Sequence, residues 1–292
     1  MPSDDLRDRI TDQFSYRGER ADIWRAFDLL LDTDAFLNIG YSEWYQPHVL
    51  GSSQRRLAAR VGSTLARHLS ATDGVRLLDV GCGRGGPAIH LADRFGFRVT
   101  GLDLVSYNIA QAIENAQSQG STAEFAVGDA TQLPFESNSF PACTAIDSLV
   151  YLSHRATVFE EISRVLKPGG VVVLSDLLRR PDVDASERGA VASFADAWDM
   201  PPPGTVEEYR RGLDDANLDL GEFEDITLHG LGRFRKWTRL YLGIRASPMG
   251  PLVERALQRY GLDPSTIADQ VECAHHALPY LQHVILVAKE ED

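Results

Sequence analysis

The sequence predicts an α/β fold in which a parallel sheet carries helices on both faces. Two observations point to it. From about residue 75 to residue 176, short apolar runs alternate with segments of helical periodicity, the pattern of strands joined by crossover helices. The run Val75-Arg76-Leu77-Leu78-Asp79-Val80-Gly81-Cys82-Gly83-Arg84-Gly85-Gly86 then reads as a buried strand ending in an acid, a glycine loop and a helix start. Glycines there let the backbone turn sharply and approach a ligand with no Cβ in the way. The helix behind them presents unpaired N–H groups and its positive dipole end to the same place. In a doubly wound sheet that place is the ligand crevice. The 292 residues, 43% hydrophobic and 24% charged, suffice for one large globular domain or a core with a second small layer.

Residues 1–69 read as mostly helical. Leu6, Ile10 and Phe14 fall at helical spacing, and Ile23, Trp24, Phe27, Leu30 and Leu31 make a second apolar stripe. An aromatic-rich loop spans 36–45, and a third helix runs from about 53 to 69. The core gives strands at about 75–80, 98–103, 123–128, 142–147 and 171–176, with helices at 87–95, 106–119 and 156–166 between them. Past Asp176 the pattern changes. A helix-like segment within 181–216 meets Met200-Pro201-Pro202-Pro203-Gly204, and the triple proline stops any helix. Thr205 with Glu208 makes a capping box for the next one. Strands at 223–228 and 281–288 flank a mainly helical stretch, 236–278, that is interrupted at 247–251.

Composition excludes several classes. No run of about eighteen apolar residues offers a membrane span. The start, Met1-Pro2-Ser3-Asp4-Asp5, is acidic and lacks the apolar core of a signal peptide. Cys82, Cys143 and Cys273 show no paired spacing, which speaks against a disulfide framework or a zinc site and for a cytoplasmic protein. His275-His276 has no third ligand at metal spacing, so no metal is expected. A formal charge of −13 argues against nucleic acid as a partner, since phosphate binding needs basic surface. Lysine stands only at Lys167, Lys236 and Lys289, and Arg233, Arg235, Arg239 and Arg245 cluster in one stretch. That cluster reads as a solvated helix face or as a site for a carboxylate or phosphate.

Four segments carry the chemistry. Gly81, Gly83 and Gly86 satisfy the dinucleotide fingerprint G-x-G-x-x-G, which decides little alone. Asp79, two residues before Gly81, would face a pyrophosphate badly and suits a cationic ligand. Asp103 ends the second strand, where an acid accepts hydrogen bonds from a ribose diol. The third segment, 124–135, is a strand and an acidic turn in which Asp129 can reach the amino group of an adenine and Leu133 can cover its face. The fourth, 165–176, is a helix end, a Pro168-Gly169-Gly170 turn and a buried strand closing on Asp176. In this order and spacing they resemble the class I S-adenosylmethionine (SAM)-dependent methyltransferases, over roughly residues 70–180. SAM carries an ammonium and a sulfonium and no phosphate, in keeping with Asp79.

The resemblance implies a Rossmann-like, seven-stranded, mostly parallel sheet with one of the last two strands antiparallel, N-terminal helices and a helical lid. It divides the chain into a helical segment at 1–69 covering the cofactor, a SAM-binding core at 70–180, lid or substrate insertions at 181–222 and 236–278, and closing strands within 223–235 and 279–292. It also assigns roles. Asp79, Gly81, Cys82 and Gly83 hold the methionine part of SAM, with Cys82 structural rather than reactive. Asp103 holds the ribose, with Leu104 also at the cofactor, Asp129 and Ala130 hold the adenine, and Ile146 closes the far wall. S-adenosylhomocysteine is the product. The segment Ala145-Ile146-Asp147-Ser148-Leu149 lacks the Asn-Pro-Pro-aromatic cluster of base-modifying relatives.

Asn38-Ile39-Gly40-Tyr41 resembles the Gly-Tyr segment of small-molecule methyltransferases of the rebeccamycin, erythromycin and tocopherol types, in which the tyrosine closes over the methionine part. That implies the same for Tyr41, with Phe14 and Tyr16 in the same lid. Sugar O-methyltransferases of the group carry a catalytic histidine at or next to position 151, where this chain has Val150-Tyr151. The catalytic candidates are therefore Tyr151, His154 three residues on, and Asp176 at the end of the fifth strand. The missing histidine tilts the acceptor toward carbon, an amine or an acidic phenol. Phe194, Trp198, Met200, Phe234, Trp237, Leu240 and Tyr241 are either core or the lining of an apolar acceptor pocket. The expected activity is methyl transfer to a small or medium lipophilic metabolite, a polyketide, terpenoid, quinone or glycoside. A SAM-binding regulator or cyclase and an NAD-dependent oxidoreductase remain open, as does a homodimer.

Overall fold

The computed structural model describes residues 4–31, 33, 35–47 and 49–290. Met1-Pro2-Ser3 and the side chains of Leu30 and Leu31 lie outside the described residues. In chain order the elements are α1 (Asp4–Phe14), α2 (Asp22–Leu31), α3 (Leu50–His68), β1 (Arg76–Val80), α4 (Gly86–Phe95), β2 (Arg98–Asp103), α5 (Ser106–Gln119), β3 (Glu124–Val127), β4 (Phe140–Ile146), α6 (Arg155–Val165), β5 (Leu166–Arg179), α7 (Ala185–Ala197), α8 (Val206–Asp215), β6 (Leu218–Asp225), α9 (Leu231–Arg245), α10 (Gly250–Arg259), α11 (Pro264–Ala277) and β7 (Leu281–Glu290).

The seven strands form one sheet in the order β3-β2-β1-β4-β5-β7-β6. β1 to β5 pair in parallel, and β7 lies antiparallel between β5 and β6. β4 is apolar and buried nearly throughout, and β1 buries Leu77 to Val80, Asp79 among them, as central strands between two helical layers do. The strand order reverses between β1 and β4, so a crevice opens at their carboxyl ends.

Three packed clusters follow from the sequence pattern. On one face, Leu57, Val61 and Leu65 of α3 and Leu91 of α4 meet Leu77 and Val99 of the sheet. On the other, Phe159 of α6 and Tyr209 and Leu213 of α8 meet Phe140, Val172 and Leu286. The third cluster joins Ile10, Phe14, Trp24, Phe194, Trp198, Leu231 and Val271 from α1, α2, α7, α9 and α11 with Val150 and Leu177. This cluster packs at the end of the sheet where the glycine loop lies.

Two expectations shift. The strand expected at 223–228 begins earlier, at Leu218, and ends at Asp225, because antiparallel pairing from Leu218↔Glu290 to Asp225↔Val284 takes in Asp219, Leu220 and Glu222, with the register shifting past Gly221. The stretch 181–222 is also not all lid. Tyr209 of α8 packs edge-on to Phe159 of α6, with ring centroids 5.6 Å apart, so α8 belongs to the sheet's own layer, whereas α7 packs with the cluster of α1, α2, α9 and α11. The capping box forms as read: Glu208 N–H donates to Thr205 Oγ1 (3.2 Å) and Thr205 N–H to Glu208 Oε2 (2.8 Å). Among the described residues no helix is long and apolar enough to cross a membrane.

Candidate functional site

The chain leaves β1 through two left-handed glycines, Gly81 (φ 71°) and Gly83 (φ 53°). Gly81 N–H and Cys82 N–H both donate to Leu102 O, at 2.7 and 3.0 Å, which ties the loop to the end of β2. A Cβ on Gly81 would stand 2.5 Å from Ser148 Cβ, so only glycine fits. Gly83 N–H donates to Asp103 Oδ2 (2.9 Å), while Val105 N–H and Asn108 Nδ2 donate to Asp103 Oδ1 (2.9 and 3.3 Å). Burial raises the Asp103 carboxyl pKa, and these donors offset part of the rise.

Asp79 is the anomaly of the site. It is 1% exposed, and neither carboxylate oxygen has a hydrogen-bond partner among the described residues. Burial, with the negative charge of Asp103 behind it, pushes its pKa up to about 7. An unpaired buried carboxylate is costly, and a bound cation is what would pair it.

A cavity of about 120 Å³ lies against these groups. The glycine loop, Asp79, Asp103, Leu104, Asp129, Ala130 and Ile146 line it, and Ile10 and Phe14 of α1 close over it. Asp129 Oδ1 accepts from Thr131 N–H at 2.9 Å, and its other oxygen makes an ion pair with Arg7 of α1.

A second cavity, about 70 Å³, adjoins the first. Leu37, Asn38, Asp147 and Tyr151 line both and so form the boundary. Beyond them the second cavity is aromatic and aliphatic, with Trp24, Phe27, Phe194, Trp198, Met200 and Phe234 in its wall. Asp147 has φ 53° and is fixed on every side. Its Oδ1 accepts from Ser175 Oγ and His283 Nε2, both at 2.8 Å, and its Oδ2 from Ile39 N–H at 2.9 Å. The Tyr151 ring stands edge-on to Phe14, with centroids 5.1 Å apart. Burial, followed by Asp147, Asp176 and Asp199, keeps its phenol protonated.

The structure thus brings Asp79, Gly81, Cys82, Gly83, Asp103, Leu104, Asp129, Ala130, Ile146 and Tyr151 to one place. Three expected residues are elsewhere. Tyr41 lines neither cavity; it stacks on His229 (4.8 Å), and its hydroxyl donates to Glu43 Oε1 (2.7 Å). Leu37 and Asn38, just before it, take the wall position instead. His154 precedes α6 and also lines neither cavity. Asp176 is fully buried behind the wall: Val150 N–H (3.2 Å), Leu177 N–H (2.9 Å) and the Tyr209 hydroxyl all donate to it. It positions the loop that carries Tyr151. Tyr16 lies against the Arg84 guanidinium, 4.3 Å from ring centroid to Cζ. Trp237 and Leu240 point outward, 44% and 52% exposed. Sequence reasoning missed Asp147, Asn38 and Ser148. Their position just after β4, or beside the Gly-Tyr segment, was the available signal.

Comparison with known proteins follows the same lines. Residues 78–174 match the model of a methyltransferase domain. The chain is 32% identical over 216 residues to the O-methyltransferase resE of Aspergillus sclerotiorum, covering 70% of this chain and 79% of that one. It is 28% identical to the 27-O-demethylrifamycin SV methyltransferase of Amycolatopsis mediterranei, over 91% of this chain and 95% of the relative. Its fold is similar to the geranyl diphosphate C-methyltransferase of Streptomyces coelicolor A3(2), solved with Mg2+, geranyl diphosphate and S-adenosyl-L-homocysteine. That match has a TM-score of 0.70 and 19% identity, and covers 99% of this chain and 98% of that one.

Proposed function

The chain belongs to the class I SAM-dependent methyltransferases, and on that premise we propose that it methylates a lipophilic small molecule held in the second cavity. The observation that carries this is the adjacency of the two cavities. One is lined by four acids at or near strand ends, Asp79, Asp103, Asp129 and Asp147; the other is mostly apolar, and they share a wall.

The first cavity fits the cofactor. The unpartnered Asp79 carboxylate would receive the ammonium, Asp103 the ribose hydroxyls, and Asp129 the adenine amino group once Arg7 shares or yields it. A dinucleotide would instead bring its pyrophosphate toward Asp79. When bound, SAM supplies an electrophilic methyl group. The residues of the chain supply position and dryness: the lid excludes water, and a fixed approach accounts for a large part of the rate in such displacements.

At the boundary, Tyr151 offers a hydrogen-bond donor and Asp147 a carboxylate that three donors hold ionised. A tyrosine kept protonated orients an acceptor better than it deprotonates one. This favours an already acidic hydroxyl or an activated carbon as the methyl acceptor. The named relatives act on both types, an O-acceptor in one and a C-acceptor in the other. The test is calorimetric titration with S-adenosylhomocysteine beside NAD, followed by mass spectrometry of product formation with apolar phenols, hydroquinones and prenyl compounds. Binding of S-adenosylhomocysteine alone, with turnover of an apolar acceptor, supports the reading. Turnover confined to small polar amines would overturn the assignment of the second cavity.

A further inference from the structure

The arginine cluster singled out in the sequence takes no part in either cavity. α9 has two unlike faces, and of the cluster Arg239, with Lys236 beside it, lies on the outer one, while Arg245 pairs with Glu254 at 3.5 Å. Inward, Leu231 and Phe234 line the acceptor cavity. Outward, Lys236, Arg239, Leu240, Gly243, Ile244 and Ser247 line one surface groove. Leu240 is 52% exposed and Ile244 37%. Arg235 is exposed beside them, and Met249 and Leu252, at the turn into α10, are each 56% exposed. α9 contains no acid, in a chain whose formal charge is −13. At its other end, Arg233 Nη2 donates to Glu43 O (2.9 Å), which holds the turn bearing Trp44, 80% exposed, against the start of the helix.

We propose that this outer face of α9 and the turn into α10 docks on an anionic lipid surface. Long apolar side chains flanked by cations are the composition of a helix that lies in a membrane interface, with the apolar groups inserted and the cations at headgroup level. Exposed Trp side chains favour the same depth. Charge selects the occupant: the basic face repels a second copy of itself across a two-fold axis, and it complements an acidic membrane. The inner face gives the reason, resting on the acceptor reading above. A lipophilic acceptor concentrates in the bilayer, and the helix that would touch the bilayer is also a wall of the acceptor cavity.

The test is co-sedimentation of the full chain with phosphatidylglycerol and phosphatidylcholine vesicles at low and high salt. The comparison variant is Leu240→Glu/Ile244→Glu, whose folding is checked by calorimetric binding of S-adenosylhomocysteine. The expected result is binding to phosphatidylglycerol vesicles that weakens with salt, is at least tenfold lower on phosphatidylcholine, and falls at least tenfold in a variant that still binds S-adenosylhomocysteine. A chain left in the supernatant overturns the proposal, whether it stays monomeric, forms a dimer through this face or pairs with an acidic protein. Equal binding by the variant overturns it too. Vesicle binding without turnover of any apolar acceptor would leave the docking face standing and remove the acceptor reading.

Discussion

Arg7 of α1 pairs with Asp129, in the turn after β3, and so ties the first helix to the acid proposed to hold the adenine. The same helix closes the cavity with Ile10 and Phe14. Each partner of the pair is about a third exposed, so its net worth is on the order of 0–1 kcal/mol. The consequence should be kinetic. In Arg7→Ala, release of S-adenosylhomocysteine should quicken severalfold in stopped-flow traces, while the dissociation constant moves less than about fivefold. An unchanged release rate would mean that α1 is not a gate.

Asp79 makes the cofactor-free protein sensitive to pH in an unusual direction. Its folded pKa, about 7, lies above that of an unfolded aspartate. The folded chain therefore holds the extra proton between roughly pH 4 and 7, and stability falls as pH rises through that window. Asp79→Asn removes the penalty, so the variant without cofactor should melt a few degrees above wild type at pH 8 and differ little at pH 4. Its affinity for S-adenosylhomocysteine should fall on the order of a hundredfold, the cost of unpairing a buried charge. Wild-type affinity should itself weaken below pH 7. A flat affinity from pH 5 to 8 would show that the carboxylate does not meet the ammonium.

Gly81 is constrained twice, by its φ of 71° and by the 2.5 Å gap that a Cβ would leave to Ser148. Gly81→Ala should cost about 1–2 kcal/mol from the backbone alone, plus whatever the loop must move. At least a tenfold loss of S-adenosylhomocysteine affinity is expected, with partial recovery when Ser148→Gly is added. Gly189 in α7 supplies the control: nothing lies within 4 Å of its added Cβ. Gly189→Ala should stabilise the chain by about 0.5–1 kcal/mol. Equal behaviour of the two alanine variants in thermal melts would refute the steric account.

The strand-end acids and the glycine loop were legible because a local motif fixes each of them. Asp79, Gly81 and Asp103 owe their places to β1, β2 and the turns between, all within one short stretch of chain. The boundary residues were not legible in that way. Asp147 owes its role to His283, which β7 brings beside it from 136 residues away, and to Ile39 in the N-terminal loop. Tyr41 shows the converse. Its ring stacks on His229, from the loop before α9, and lines neither cavity. The lid aromatics were ambiguous for the same reason: helical spacing tells which side chains share a face, and only packing tells whether that face meets the cavity or solvent. Phe234 and Trp237, three residues apart on α9, part company there.

The Asp147–His283 pair sets the acid limit of the fold. Burial alone would push the Asp147 carboxyl up, but the His283 charge and hydrogen bond, with Ile39 and Ser175, outweigh burial and hold it below the usual range. A depressed folded pKa contributes stability that is full above the unfolded value, near 4, and is lost as pH falls through the folded one. The sign is opposite to that of Asp79. Asp147→Asn keeps the shape, removes the charge and leaves His283, fully buried, without its carboxylate. The cost should be about 3–5 kcal/mol at pH 7, as for other broken buried pairs. It should shrink toward zero below pH 4, where wild type loses the same interaction. Urea midpoints of both chains measured from pH 3 to 8 should therefore converge at the acid end. Parallel curves would show that the Asp147 charge contributes nothing to folding, and would leave its carboxylate to the acceptor alone.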